Sequence, residues 1–180
     1  MRRLAVLLTV VASAVAATPA LAPAAGDGLE GARAKAVSWA VSQAGHRERG
    51  TTNCSARITR WERAMGLEAP PCQAWCGAFV HEAFRRAGVK LSARLIDPDR
   101  SYTDAVRGQR GLKAIPKGQV RPGDLLFFAF RRGLKASHIA IVRTKPSGGA
   151  VLTVEGNVAH AVRFARRGLK YPVLAARVTG

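Results

Sequence analysis

The chain has 180 residues, the length of about one ordinary domain, and 48% of them are hydrophobic. This apolar fraction is enough to form a core, so intrinsic disorder is excluded for most of the chain. Lys and Arg total 29 against 11 Asp and Glu, which gives a formal net charge of +18. Such a charge favours a polyanionic partner or surface but does not indicate a fold.

The first residues have the pattern of a secretory signal peptide. Arg2 and Arg3 precede an apolar run over residues 4–17, and small residues allow cleavage between about residues 16 and 24. We assign residues 1–24 to this signal. The run is shorter than the roughly 20 residues that span a bilayer, so an uncleaved anchor is the less favoured alternative. Removal of both arginines leaves 27 basic and 11 acidic residues, a charge of +16 on an exported chain without a later membrane span.

The next part of the chain has helical patterns. Apolar residues at helical spacing predict a helix over residues 29–43, and Gly45 is placed to end it. Residues 46–71 are basic and rich in loop formers, with a short helix expected near 60–65. A clear apolar stripe then predicts a helix that begins near Cys76 and ends before Gly88.

The last part of the chain has strand patterns. A polar segment over residues 97–116 separates it from the helices. The predicted strands cover residues 124–130, 137–143, 150–156 and 171–178. Helices followed by an antiparallel meander indicate an α+β fold.

The three cysteines, Cys54, Cys72 and Cys76, have a particular meaning in an exported chain. They cannot all pair within one molecule, so one thiol is left over. Cys76 follows Trp75 at the predicted start of a helix, where the helix dipole and unpaired backbone NH groups favour a thiolate. Cys76 is therefore the candidate nucleophile, and a half-cystine or an inert buried thiol is the alternative.

A cysteine nucleophile needs a base, and His138 is the best placed of the four histidines. It opens a predicted strand, whose backbone would fix its direction. His81 lies on the same helix as Cys76 and should point elsewhere, and His46 and His160 lie in basic loops where we expect solvated side chains. The alternative for His138 is an ordinary polar residue at a strand end.

Strand pairing suggests a third member of the site. A four-residue loop over 145–148 would place Glu155 opposite His138, with Asn157 two residues further on. Either residue could orient the imidazole, and a longer loop would exchange their roles. The alternative is that Glu155 is a solvated charge. This register gives the opposite face four apolar residues, Ile139, Ile141, Leu152 and Val154.

Four segments together resemble the CHAP family of cysteine, histidine-dependent amidohydrolases and peptidases. They are residues 75–80 (WCGAFV), 122–128 (PGDLLFF), 137–142 (SHIAIV) and 154–157 (VEGN), in the family's order and approximate spacing. The resemblance covers residues 29–178, so we expect residues 29–180 to form a CHAP-like catalytic domain. The sister NlpC/P60 family is similar, but its third polar residue commonly lies about a dozen residues after the histidine, where this chain has Ala150 and its neighbours.

The resemblance implies a papain-like fold, with N-terminal helices packed on a C-terminal antiparallel sheet, and hydrolysis of amide bonds in peptidoglycan. It assigns Cys76 as nucleophile, His138 as base, and Glu155 and Asn157 as the orienting residues. Neither a metal nor a cofactor is implied. Gln73 is the candidate side chain for the oxyanion site.

If Cys76 is the nucleophile, Cys54 and Cys72 remain to form a disulfide. A bridge that includes Cys76 is the open alternative. The predicted pair would restrain the segment that leads to Cys76.

The sequence therefore predicts a secreted or wall-associated peptidoglycan hydrolase, either an amidase or an endopeptidase. The alternative is a non-catalytic binder of anionic wall polymers on the same fold. Anionic envelope polymers are expected partners by charge, although the basic surface could serve solubility alone. No specific nucleic-acid partner is expected, since Trp and Tyr are not interleaved with the basic clusters.

Overall fold

Helices precede strands along the chain in the computed structural model, which describes residues 25–67 and 72–180. The predicted signal peptide lies outside these residues. The helices are α1 (Ala25–Ser42), α2 (Ala56–Ala64), α3 (Cys76–Arg86) and α4 (Pro98–Val106). The strands are β1 (Leu112–Ile115), β2 (Leu125–Phe128), β3 (His138–Val142), β4 (Ala150–Val158), β5 (Ala161–Gly168) and β6 (Leu174–Val178). No helix of the described ranges is long and apolar enough to cross a membrane.

The strands of the described ranges form one antiparallel sheet in the order β1-β6-β2-β3-β4-β5. The predicted α+β class is thus confirmed. The simple meander is only partly right, because β5 pairs with β4 and takes the place next to it. The last strand, β6, therefore returns to the other side of β2 and pairs with β1.

Three elements were missed by the sequence analysis, namely α4, β1 and β5. Helix α4 begins with an Asp97 side chain that accepts hydrogen bonds from the NH groups of Asp99 and Arg100, with Pro98 in the first turn. This Asp-Pro start was read as part of a polar segment. Strand β5 contains the basic cluster 163–167, whose residues are exposed or only partly buried, so the strand lacks a regular apolar alternation.

The predicted register between β3 and β4 is wrong by two residues. Ile141 pairs with Val154 and Val142 with Thr153, whereas the prediction placed Leu152 opposite Ile141. The turn is centred on Gly148 and Gly149, whose φ angles are 56° and 69°. Two successive residues with positive φ suit a tight hairpin turn, so the reversal comes later than a loop over 145–148 would place it.

A shift of two residues keeps every side chain on its predicted face. Ile139, Ile141 and Val154 lie in the core between the sheet and the helices, as expected. Leu152 shares that face but is 39% exposed, so it does not belong to the buried core as predicted. His138 and Glu155 remain together on the opposite face.

Helix α3 lies against the sheet at a close approach that depends on Gly156 in β4. A Cβ atom at residue 156 would lie 2.6 Å from the Cβ of Phe79 and 2.8 Å from the ring of Trp75. Both side chains are fully buried. The absence of a side chain at 156 therefore sets how near the start of α3 comes to the strand that carries Glu155.

We predict that Gly156→Ala lowers the free energy of unfolding by about 1–3 kcal/mol, because the added methyl group overpacks a rigid contact. Chemical denaturation would measure the change. Gly118→Ala is the matched control, since a Cβ there meets nothing within 4 Å. Equal stability of the two variants would show that α3 does not depend on this close approach.

Candidate active site

Cys76 is the first residue of α3, and its thiol is buried and not in a disulfide. Trp75 precedes it as the N-cap, with no side-chain hydrogen bond to the helix end. The indole of Trp75 packs against that of Trp61, with ring centroids 5.9 Å apart. The backbone NH groups of the first turn of α3 lack helical partners, so they are available to an anion beside Cys76.

The segment before Cys76 is held by a disulfide and by a buried carboxylate. Cys54 is bonded to Cys72, which is the predicted pair, with their Cα atoms 4.7 Å apart. The carboxylate of Glu62 accepts hydrogen bonds from the backbone NH groups of Cys72 at 2.8 Å and Gln73 at 3.1 Å. Glu62 lies on α2 and is itself buried. Both links join the chain just before Cys76 to α2 and to the loop that precedes it.

His138 and Glu155 form the central contact of the site. The Nε2 atom of His138 lies 2.8 Å from Oε2 of Glu155, and the two residues are 7% and 0% exposed. Their strands are neighbours, but the observed register, continued to His138, would place Asn157 opposite it. The longer glutamate side chain reaches the imidazole diagonally across the strands.

Glu155 receives three other hydrogen bonds besides its contact with His138. The guanidinium of Arg167 donates from Nε at 2.8 Å and from Nη2 at 2.7 Å, and the hydroxyl of Thr153 donates to Oε1. Burial raises the pKa of Glu155, but the hydrogen bonds from Arg167 and His138 outweigh it and bring the pKa to about 2. The carboxylate is therefore ionised throughout the physiological range.

The imidazole of His138 is held in its charged form. Burial lowers its pKa, but hydrogen bonds with Cys76 and Glu155 outweigh this effect and raise the pKa to about 9. Since Nε2 faces Glu155, Nδ1 is the nitrogen that remains for the thiol. A sulfur, an imidazolium and a buried carboxylate thus follow one another across α3, β3 and β4.

Two other predicted site residues do not join this contact. Asn157 has a φ of 61° at an irregularity of β4, and its amide donates to Oδ1 of Asn53 at 3.4 Å. The exchange of roles expected for the longer loop does not occur, because the backbone irregularity after Glu155 redirects Asn157. The backbone NH of Gln73 is bound by Glu62, and no hydrogen bond of the Gln73 side chain is found within the described residues.

The remaining histidines lie apart from this contact. His46 lies 2.9 Å from the hydroxyl of Ser55, and Nδ1 of His160 contacts the carboxylate of buried Glu48. His160 is exposed, as expected, whereas His46 is partly buried, so the expectation of a solvated side chain was wrong for His46. His81 is buried in α3, as a residue that points away from the site.

Sequence reasoning missed Arg167, Thr153 and Glu62, all of which act on residues of the site. Arg167 and Thr153 lie on β5 and β4, on the same face of the sheet as Glu155. Their placement could have been predicted only after β5 was recognised as a strand. Glu62 had no sequence signal, because its carboxylate binds backbone NH groups, which are present at almost every residue.

Comparisons with known proteins identify the family of this chain. The sequence model of the NlpC/P60 family matches residues 45–161, which include Cys76, His138 and Glu155. The chain belongs to the NlpC/P60 family. The four sequence segments resemble CHAP more than its sister family NlpC/P60, so the family shown here is the sister of the expected one. A search of curated proteins found no match.

Solved structures show the same fold. RipA, the Resuscitation Promoting Factor Interacting protein, solved with a histidine mutated, is 18% identical with a TM-score of 0.53 over 87% of this chain and 65% of the RipA chain. Rv1477, a hypothetical invasion protein of Mycobacterium tuberculosis, is 19% identical with a TM-score of 0.51 over 87% and 66%. NlpC2 from Trichomonas vaginalis is 15% identical with a TM-score of 0.50 over 83% and 46%. This NlpC/P60 chain spans less than two thirds of each of them.

The first prediction for the site concerns Arg167. Because the pKa of Glu155 is about 2, below its ordinary value of 4.5, the carboxylate stabilises the fold above pH 4.5 and loses this contribution as the pH falls toward 2. Arg167→Met should raise the pKa of Glu155 and shrink that contribution. Carboxyl NMR titration and denaturation at pH 3 and pH 7 would measure both effects.

Arg177→Met is the matched control for this experiment. Arg177 binds the buried carboxylate of Asp124 at 3.0 and 2.8 Å, and the side chains of Arg167 and Arg177 are both 25% exposed. This variant should lose stability while the titration of Glu155 stays unchanged. An unchanged Glu155 titration in Arg167→Met would contradict the assigned role of Arg167.

A further prediction concerns the contact between Cys76 and His138. Cys76→Ala removes one of the two groups that raise the pKa of His138, so this pKa should fall below about 9 while Glu155 still supports it. Imidazole NMR titration of labelled histidine would measure the change. A pKa that stays near 9 would show that the thiol and the imidazole do not interact.

Proposed function

We propose that the chain is an exported peptidoglycan hydrolase that cleaves an amide bond with Cys76 as nucleophile. The observation that carries this proposal is the succession of Cys76, His138 and Glu155, in which a buried carboxylate fixes an imidazole that interacts with a thiol. Membership of NlpC/P60, a family of cysteine peptidases, supports hydrolysis as the reaction. RipA has been solved with a cysteine, a histidine and a glutamate mutated in turn, and these are the residue types that meet here.

The proposed reaction has two steps. The thiolate of Cys76 attacks the carbonyl carbon, and the C–N bond breaks as His138 gives its proton to the leaving amine. The acyl group is then held as a thioester. Neutral His138 next takes a proton from water, hydroxide attacks the thioester, and the thiolate of Cys76 is released with the carboxylic acid product.

The other residues of the proposed site hold these groups in place. Glu155 keeps the imidazole aligned and stabilises its charged form, and Arg167 and Thr153 hold Glu155. The backbone NH of Cys76 at the start of α3 is the proposed oxyanion donor. Gln73 stays a candidate for a second donor through its side chain.

The position of the third site residue, the substrate, the location of the protein and the bond that is cut are proposed as well. Glu155 lies 17 residues after His138 in the sequence, which is the CHAP-like position for the third residue. Attack on peptidoglycan, and location at the cell wall or outside the cell, fit the predicted signal peptide and the basic charge. An amidase would release stem peptides from the lactyl group, whereas an endopeptidase would cut within the peptides, and mass spectrometry of released fragments separates the two.

We predict that Cys76→Ala abolishes release of soluble fragments from purified peptidoglycan while the fold is kept. The joint variant Cys54→Ala with Cys72→Ala is the control. It should lose roughly 3 kcal/mol of stability, because an 18-residue separation is no longer closed, and still digest the wall at a temperature where it is folded. Digestion by Cys76→Ala at a rate comparable to the unaltered protein would overturn the proposed function.

A further inference from the structure

A groove between α1, α2 and α3 is lined by five arginines and lies apart from the residues proposed to act in hydrolysis. It has a volume of about 530 Å³, and we name it the arginine groove. Its lining consists of Arg57, Arg60, Arg63, Arg85 and Arg86 together with Trp39, Gln43, Trp61, Ala64 and Glu82. Cys76, His138 and Glu155 do not line it.

The positive charge of this groove is not neutralised within the described residues. Glu82 is the acidic residue of the lining, and its buried carboxylate already binds both Arg85 and Arg86 at 2.6–2.8 Å. Arg57 donates only to the neutral amide of Gln43 at 3.1 Å. The lining thus carries five positive charges against one negative charge.

The field of these arginines also acts on a neighbouring histidine. Burial lowers the pKa of His46, and the positive charges of Arg57 and Arg60 lower it further. His46 packs against Trp61 of the groove, with ring centroids 5.6 Å apart, so the two arginines repel a cation beside the groove and the same field attracts an anion.

The spacing of the arginines selects the kind of anion. Arg57, Arg60 and Arg63 follow one another every three residues on α2, so they are neighbours along a row about 9 Å long. A single small anion cannot contact the whole row, whereas a polymer with repeated charges can. Guanidinium groups bind phosphate oxygens through two parallel hydrogen bonds, so a phosphodiester chain suits this row. A polycarboxylate, which they bind in the same way, is the competing ligand included in the test below.

The aromatic residues of the groove argue against a nucleic acid. Trp61 is buried, and Trp39 is partly buried, with its ring 5.7 Å from Trp61 and 5.8 Å from Phe79. Binding of single-stranded nucleic acid relies on exposed aromatic rings for stacking of the bases. The groove presents guanidinium groups instead of an open aromatic platform.

We propose that the arginine groove binds a base-free phosphodiester polymer of the cell envelope. Bound there, the polymer would hold the protein on the wall without contacting Cys76, which lies at the other end of α3. The inference extends the proposed function, because it supplies an anchoring site for a wall hydrolase. Binding is tested separately from hydrolysis, so the two proposals can fail independently.

The test measures binding of poly(glycerol phosphate) to the full chain carrying Cys76→Ala, which removes turnover. Adding R60Q and R63Q should weaken binding by about tenfold or more, because two charged hydrogen-bond donors are lost. The slope of log affinity against log salt should become shallower by about two. The variant should stay folded, because both side chains are exposed. Thermal unfolding would confirm this.

R131Q with R132Q is the matched control, because it removes two exposed charges from a turn outside the groove. It should weaken binding far less than R60Q with R63Q. Equal losses in the two variants would overturn the proposal, since charge alone would then explain binding. Equal or tighter binding of poly-glutamate, or of a single-stranded oligonucleotide of matched charge, would overturn the choice of a base-free phosphodiester.

Discussion

The buried carboxylate of Glu155 is the group on which the arrangement of the site depends. Burial of an ionised carboxylate costs free energy unless its oxygens are hydrogen-bonded. Here His138, Arg167 and Thr153 all bind the oxygens of Glu155. These partners lie on three adjacent strands, β3, β4 and β5. Loss of any one partner would leave a buried carboxylate oxygen with fewer hydrogen bonds. The contacts that satisfy Glu155 therefore link the three strands and orient the imidazole at the same time.

The thiol reaches this sheet because α3 is held at both its start and its flank. Gly156, next to Glu155, lets Phe79 and Trp75 pack directly on β4, which brings Cys76 to the imidazole. The disulfide and Glu62 fix the segment that enters the helix. Packing places the helix, and the covalent and polar links limit how far its first residue can move. The thiol of Cys76, which we propose as the nucleophile, is therefore prepositioned by the fold rather than by a bound substrate.

Much of this arrangement could be predicted from local patterns, and the errors have physical causes. The helix at Cys76 and the strand at His138 have strong periodicity and clear end signals. The predicted contact between His138 and Glu155 is present although the predicted register is wrong. A shift of two residues keeps Glu155 on the same face of the sheet as His138, and the glutamate side chain is long enough to reach the imidazole. The register error at Gly148 and Gly149 was avoidable, because two successive glycines are a local signal for a hairpin turn. Strand β5, and therefore Arg167, was not recognised because most of this strand is exposed or only partly buried and carries basic residues in place of a regular apolar alternation.

The most direct test of the account compares the rate constants for hydrolysis of a purified wall fragment by Glu155→Gln and Asn157→Ala at pH 7. The account predicts that Glu155→Gln lowers kcat/KM by about a hundredfold or more, because the amide cannot stabilise the imidazolium needed for proton transfer. Asn157→Ala should retain most of the activity, since its side chain contacts Asn53 instead of His138. A large loss in Asn157→Ala with little change in Glu155→Gln would contradict the account.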